Sequence, residues 1–235
     1  MTPTATDAAA LTSAQALATR HLLRIEGFDH SGITEDTVRE LAAAVDHVLG
    51  TYRFLRLQGI SITDLGGSAV CRAGWTHAES TRGKPLPWLH LDRSVIDNAA
   101  KPVERYCAAE EFNGANATPV ARPLYSAVIT AFGQIMVKAA GPRPLRLAQR
   151  FLITEYQRIS GPWDDTDRLA RIVRGYREWR AQLPGHGQIG GLFDPPVALA
   201  AAFTEVEMRG EAAGGPAKVL HRLLVEAVRE GSKSQ

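Results

Sequence analysis

The sequence predicts an α+β protein, in which an N-terminal mixed β-sheet lobe with one helix precedes a C-terminal all-helical lobe. Short β-prone runs, separated by glycines and prolines, are confined to the first 92 residues. After them, apolar residues recur mainly at helical spacing. The 235 residues are 45% hydrophobic and 22% charged, which is the composition of a globular protein with a substantial core.

The N-terminal lobe is predicted over residues 21–92. Residues 1–20 are rich in Ala and Thr and lack the basic start of a signal peptide, so we expect a disordered or loosely attached segment there. A short strand is predicted at 22–28. The hydroxyl of Thr34 can cap a following helix, whose first two residues are acidic and complement the positive helix end. Gly50 is its expected end.

Three further strand-like runs complete the sheet lobe. They are predicted at residues 55–62, 69–77 and 86–91, because each combines β-prone residues with flanking glycines or prolines. Gly59 lies inside the first run and predicts a β-bulge there. The order β-α-β-β-β does not alternate strictly between strand and helix, which favours an α+β arrangement.

The helical lobe is predicted over residues 93–230, with a short tail at 231–235. Pro123 suits a first helical turn, and Asp194 followed by two prolines predicts another helix start. No repeat or low-complexity linker interrupts the chain, so residues 21–230 are expected to form one domain. The helices are predicted at 94–111, 123–140, 145–159, 166–183, 197–209 and 217–228.

Composition argues against several classes of protein. The net charge of +2 gives no reason to expect binding to nucleic acid or to an anionic membrane. No window reaches the roughly 18 apolar residues of a membrane helix, and with no secretion signal we expect a cytoplasmic protein. Cys71 and Cys107 are too few for a disulfide scaffold. Two separate buried thiols are expected, although a bridge between them stays open.

The central helix has an unusual composition. Residues 128–136 are apolar on almost every side, which predicts a buried helix. Gly133 lies in its middle, where glycine costs about 1 kcal/mol relative to alanine. Thr130 and Gln134 are spaced i and i+4, so they share one face of an otherwise apolar helix. An ordinary core helix can also hold such residues, because a Thr hydroxyl can bond to the carbonyl four residues earlier.

Residues 128–134 resemble the helix of zincin metallopeptidases whose signature reads His-Glu-Phe-Gly-His. Phe132 and Gly133 match this signature. Thr130, Ala131 and Gln134 stand where the first His, the Glu and the second His would be. The resemblance extends over roughly residues 22–228, because the order of a sheet followed by helices also fits a zincin.

A second segment strengthens this resemblance. Residues 194–203 are similar to the later zincin helix that supplies a third, carboxylate ligand. Val197 and Ala201 occupy the two positions where that Glu would be expected. The five substituted positions, Thr130, Ala131, Gln134, Val197 and Ala201, are therefore the candidate site.

The resemblance implies a zincin fold that lacks the residues needed for zinc binding and catalysis. Zinc in such enzymes is bound by two imidazoles one helical turn apart and a third protein ligand, while a Glu accepts a proton from the bound water. Thr130 and Gln134 offer neutral oxygens, which bind zinc poorly, and Ala131 cannot act as a base. We therefore expect no catalytic residue, no metal ligand and no cofactor, hence a pseudo-metallopeptidase that acts as a binding or structural module.

The resemblance also implies where a ligand would bind. A cleft between the two lobes, with Thr130 and Gln134 at its floor, is the natural groove for a protein or peptide partner of unknown identity.

Glu205 and Glu207 are two residues apart and face different directions, so we expect them to reach into solvent rather than act as a catalytic pair.

Two alternatives remain at this stage. An active metal-dependent hydrolase could use an unusual ligand set such as His77, His90 or His186. A basic module could instead bind acidic partners through the helix at 166–183, where arginines recur every third residue and Arg171 and Arg174 are the candidate contacts. Acidic neighbours weaken the positive field of this helix, which disfavours specific nucleic-acid binding.

Overall fold

The structure is a computed structural model that describes residues 5–29, 32–67, 69–76, 85–93, 122–161, 163, 169–184 and 193–233. It confirms an α+β fold with a mixed sheet in the N-terminal half. The predicted helix at 94–111 lies outside the described residues. The described elements are α1 (Ala5–His21), β1 (Arg24–Glu26), α2 (Glu35–Thr51), β2 (Gly59–Thr63), β3 (Cys71–Thr76), β4 (Leu86–Asp92), α3 (Pro123–Ala140), α4 (Pro142–Ser160), α5 (Leu169–Arg180), α6 (Pro195–Arg209), a 3₁₀ turn (Gly210–Ala212) and α7 (Gly215–Lys233).

The chain divides within α3 into two compact units, residues 1–132 and 133–235. The sequence places the boundary between its two lobes near residue 92 instead.

The first helix of the N-terminal unit, α1, lies where the sequence predicts a disordered or loosely attached segment. Over residues 5–20, the expectation of disorder is wrong, because these residues form most of α1. Ala10, Ala14 and Leu17 are buried, with at most 2% of their surface exposed, and α1 packs against α2. This face of α1 consists mainly of small side chains, so the sequence gives only a weak apolar pattern. The face is nevertheless apolar enough to be buried against α2.

The helix α2 begins where the sequence predicts. The backbone N–H of Thr37 donates to the hydroxyl oxygen of Thr34 at 3.3 Å, which satisfies one of the free donors of the first turn. Val38, Leu41 and Val45 are fully buried, as the helical spacing of apolar residues requires. The helix ends at Thr51, one residue beyond the predicted Gly50.

The four strands form one mixed sheet in the order β1-β2-β4-β3. β1 and β4 pair in parallel with β2, whereas β3 pairs antiparallel with β4. One row across the sheet is apolar, since Ile25, Ile60, Leu89 and Ala73 are cross-strand neighbours. Ile60 and Leu89 have no exposed surface, so this face contributes to the core of the unit.

The predicted bulge at Gly59 is wrong. Gly59 pairs regularly with Arg24 on one side and Trp88 on the other. A Cβ atom at position 59 would lie 2.6 Å from the Trp88 ring, so the glycine makes room for the indole. The close approach of a ring, rather than an extra residue in the strand, explains this glycine.

The C-terminal unit is helical. Gly141, with φ of 70°, separates α3 from α4, which is a conformation that favours glycine. The side chain of Asp194 accepts from the Val197 N–H at 3.3 Å, and prolines occupy the first turn of α6, as predicted. α6 packs against α7 and α4, and Phe203, on α6, is fully buried.

The shortest helix, α5, lies at the periphery of this unit. None of its residues is buried, and Leu169 is 74% exposed.

Within the described ranges, no single helix has the length and composition of a membrane span. Only α3 and α4, taken together as a bent pair, meet that criterion.

Candidate functional site

The helix that carries the zincin resemblance, α3, has the predicted bounds, Pro123–Ala140. Its first turn is bound to α2 within the N-terminal unit, because the Tyr125 N–H donates to Oε1 of Glu40 at 2.9 Å. The Tyr125 hydroxyl lies 2.5 Å from Nδ1 of His47, and the two rings are stacked. The guanidinium of Arg122 lies 4.4 Å from the Tyr125 ring centre.

The candidate positions on α3 differ in exposure. Thr130 and Gln134 are exposed, whereas Ala131 and Phe132 between them are buried, at 1% and 0% exposure. The Thr130 hydroxyl donates to the Ser126 carbonyl at 2.9 Å, the local bond that Thr favours within helices. A glutamate at position 131 would have to enter packed core, so position 131 is a poor place for a general base.

Gly133 has a packing role. A Cβ atom at position 133 would lie 2.8 Å from the Ala200 carbonyl oxygen and 3.3 Å from Ala200 Cα. The backbone of α6 therefore approaches α3 more closely than any other residue at 133 would allow. The two helices selected by the resemblance are in direct contact at this point.

Val197 and Ala201 flank this contact on α6. Both are half-buried, and each lies within a few residues of Ala200 along the chain. Neither side chain can bind a metal or transfer a proton. Gln134, the residue next to Gly133, presents an exposed amide that can donate and accept hydrogen bonds. The chemistry available at these positions is therefore hydrogen bonding by the neutral Gln134 amide and apolar contact by Val197 and Ala201.

One polar row crosses the sheet of the N-terminal unit. Glu26, Ser61, His90 and Arg72 are cross-strand neighbours on β1, β2, β4 and β3. The Ser61 hydroxyl lies 2.6 Å from Nδ1 of His90, and the His90 ring stacks with that of Trp88. Burial lowers the pKa of His90, while the charge of Glu26 acts in the opposite direction.

The alternative metal ligands do not form a set in the described part of the chain. His77 and His186 lie outside the described residues, and His90 is bonded to Ser61. Within the described ranges, no group of three or more His, Cys, Asp or Glu side chains is placed to hold a metal ion.

The two glutamates of α6 are turned inward, contrary to prediction. Oε1 of Glu205 accepts from the Gly214 N–H at 2.8 Å, so this carboxylate stabilises the positive start of α7. Oε1 of Glu207 lies 2.9 Å from Nε2 of His221. Their side chains are only 7% and 6% exposed. The compact packing of α6 against α7 buries both, which spacing along one helix does not reveal.

The arginines of α5 divide into two groups. Arg171 and Arg174 are exposed, and Arg174 lies 4.0 Å from Glu178. Arg180 instead turns onto aromatic rings, with its guanidinium 5.5 Å from the Tyr176 centre and 5.7 Å from that of Phe193. The two residues predicted to contact an acidic partner are therefore on the surface.

Sequence reasoning missed two partnerships in these regions. Ser61 gave no signal alone, because its role depends on the pairing of β2 with β4. Gly133 stands out in the sequence as a costly residue within a helix, but its partner Ala200 is far away in the chain. Comparison of the chain with protein-family models, with curated proteins and with solved structures found no match.

Proposed function

We propose that this chain is a non-catalytic, zincin-like binding module, in which neutral side chains occupy the zinc-ligand positions. One observation carries the proposal. The two helices selected by the resemblance, α3 and α6, cross in direct backbone contact at Gly133 and Ala200. A ligand set drawn from positions 134 and 197 or 201 requires these helices to be neighbours.

The exposure pattern of α3 also supports the proposal. Thr130 and Gln134 are exposed one helical turn apart, within a stretch whose remaining residues are buried. Imidazoles at these positions would leave the helix on the same side, as metal ligands must. The neutral groups actually present favour hydrogen bonding to a protein or peptide partner instead.

Metal binding tests this proposal. The purified full chain is titrated with zinc by calorimetry, and we expect no stoichiometric binding. A variant with Thr130→His and Gln134→His plus Ala201→Glu, or Val197→Glu as its third substitution, is expected to bind zinc tightly. Ala131 stays unchanged because it is buried.

A matched control separates a real site from the effect of any histidine pair. Gln149→His with Ile153→His places two imidazoles at the same spacing on exposed positions of α4. We expect this pair to bind zinc far more weakly, because the control introduces no third ligand. Stoichiometric zinc in the unmodified chain would contradict the non-catalytic assignment. Weak binding by both restored variants, no better than the control, would show that α3 is not a zincin helix.

A further inference from the structure

A surface groove runs along the junction of α4 and α7, which pack against each other in the C-terminal unit. It has a volume of about 410 Å³. Its apolar lining comes from Leu147 and Phe151 on α4 and from Val219 and Leu223 on α7, while Arg150 and Arg222 also line it. Phe151 is 41% exposed, which leaves much of an aromatic ring open to a ligand.

The carboxylate in this groove has a salt-bridge partner, whereas the two arginines that line it have none among the described residues. Glu155 is the one carboxylate in its lining, and it accepts hydrogen bonds from Arg158 at 2.7 and 2.9 Å. The hydrogen bond from Arg158 lowers the pKa of Glu155 against the opposing effect of burial, and the charges of Arg158 and then Arg222 act in the same direction as the hydrogen bond. Within the described ranges, neither Arg150 nor Arg222 lies within ion-pair distance of a carboxylate. Two exposed cations therefore remain beside an apolar floor.

We propose that the groove between α4 and α7 binds an acidic, apolar segment of a partner protein. An apolar side chain of the segment packs against the exposed ring of Phe151, and its carboxylates pair with Arg150 and Arg222. Apolar anchors in a groove with arginines at its edge are typical of peptide recognition by helical surfaces.

The composition of the groove favours this partner over a nucleic acid. A nucleic-acid surface needs a series of cations along the phosphate backbone, with aromatic rings open for base stacking. Here a carboxylate, Glu155, lines the groove beside the two arginines, and Phe151 is the one aromatic residue in the lining. This surface does not include the candidate positions on α3, so the inference holds independently of the proposed zincin origin.

Selection from a library of random linear peptides on the immobilised full chain tests the proposal. We expect enrichment of sequences that combine Asp or Glu with Leu, Ile or Phe. Fluorescence anisotropy then compares the affinity of a selected peptide for the unmodified chain and for variants. Arg150→Glu with Arg222→Glu, and separately Phe151→Ser, should each weaken binding by about tenfold or more.

Two charge-reversal variants outside the groove serve as controls, and the second of them reverses two charges, as the groove variant does. Arg146→Glu changes an exposed arginine of α4 that does not line the groove, and Arg171→Glu with Arg174→Glu reverses the exposed cations of α5. Both should retain affinity within about twofold. Circular dichroism confirms that each variant is folded.

Three results would overturn the proposal. The first is enrichment of peptides without acidic residues, or of none. The second is loss of binding with the α5 variant rather than the groove variants, which would assign acidic partners to Arg171 and Arg174. The third is tighter binding of a single-stranded oligonucleotide than of any selected peptide, lost in the groove variants.

Discussion

Oε1 of Glu40 on α2 accepts a hydrogen bond from the backbone N–H of Tyr125, in the first turn of α3, at 2.9 Å. The first residues of α3 and its predecessor, Pro123 and Arg122, carry no short side-chain oxygen that could cap the helix. A carboxylate from another helix therefore does so and also complements the positive helix end. This contact anchors the start of the helix that bears the candidate positions.

Removal of this contact should destabilise the protein. We expect Glu40→Ala to lower the free energy of unfolding by about 1 kcal/mol, and Glu40→Gln by less because an acceptor remains. Urea unfolding followed by circular dichroism measures both changes. Glu226→Ala, at an exposed position of α7, should change the value by less than about 0.5 kcal/mol. Equal effects of Glu40→Ala and Glu226→Ala would show that Glu40 does not stabilise the start of α3.

Gly133 should resist substitution although it lies within a helix. Gly133→Ala adds a Cβ atom 2.8 Å from the Ala200 carbonyl oxygen, and backbone must move to accept it. We expect this cost to exceed the helix-propensity gain of about 1 kcal/mol, with a net loss of about 1 kcal/mol or more. Thermal unfolding measures the change. Gly231→Ala, with nothing within 4 Å of the added atom, should be neutral or stabilising.

The Trp88 ring gives Gly59 a comparable constraint in the sheet. Gly59→Ala would place a methyl group 2.6 Å from that ring, and 2.5 Å from the Arg24 carbonyl oxygen. We expect a loss of about 1 to 3 kcal/mol in the free energy of unfolding, together with a change in tryptophan fluorescence. In a Trp88→Leu background, the same Gly59→Ala substitution should cost less, because the smaller side chain frees space. Additive effects of the two substitutions would contradict the direct contact.

The stability contributed by His90 should depend on pH. Burial lowers its pKa in the folded state, so the unfolded chain binds more protons just below the ordinary value of about 6.5. The contribution is complete above that value and decreases as pH falls through the range down to the lowered pKa. The difference in unfolding free energy between the unmodified chain and His90→Gln should therefore shrink between about pH 7 and 5. A difference that is constant over this range would exclude the linkage.

Cys71 should be chemically inert in the folded protein. Burial raises the pKa of its thiol to about 12, so the reactive thiolate is scarce at neutral pH. In a Cys107→Ser background, we expect a thiol reagent to modify Cys71 only upon unfolding in guanidinium chloride. The modification rate, compared with and without denaturant, measures this protection. Rapid reaction of the native variant would show that position 71 is accessible.

Local signals explain which parts of the fold the sequence predicts well. The helix α2 follows from the capping group of Thr34 and the apolar spacing after it, and α6 from Asp194 before two prolines. The bounds of α3 follow from Pro123 and the glycine after Ala140. Each signal lies within a few residues of the element that it specifies, so it can be read without knowledge of the fold.

The tertiary structure decides the features that depend on distant partners. The alanine face of α1 becomes buried only against α2, and the acceptor for Tyr125 comes from Glu40, which is 85 residues away. Thr130, Gln134 and Gly133 can be singled out in the sequence, but the contact of Gly133 with Ala200 requires two helices to cross. Packing and cross-strand pairing bring together residues without any fixed spacing in the chain, and for that physical reason their partnerships are visible only in the folded protein.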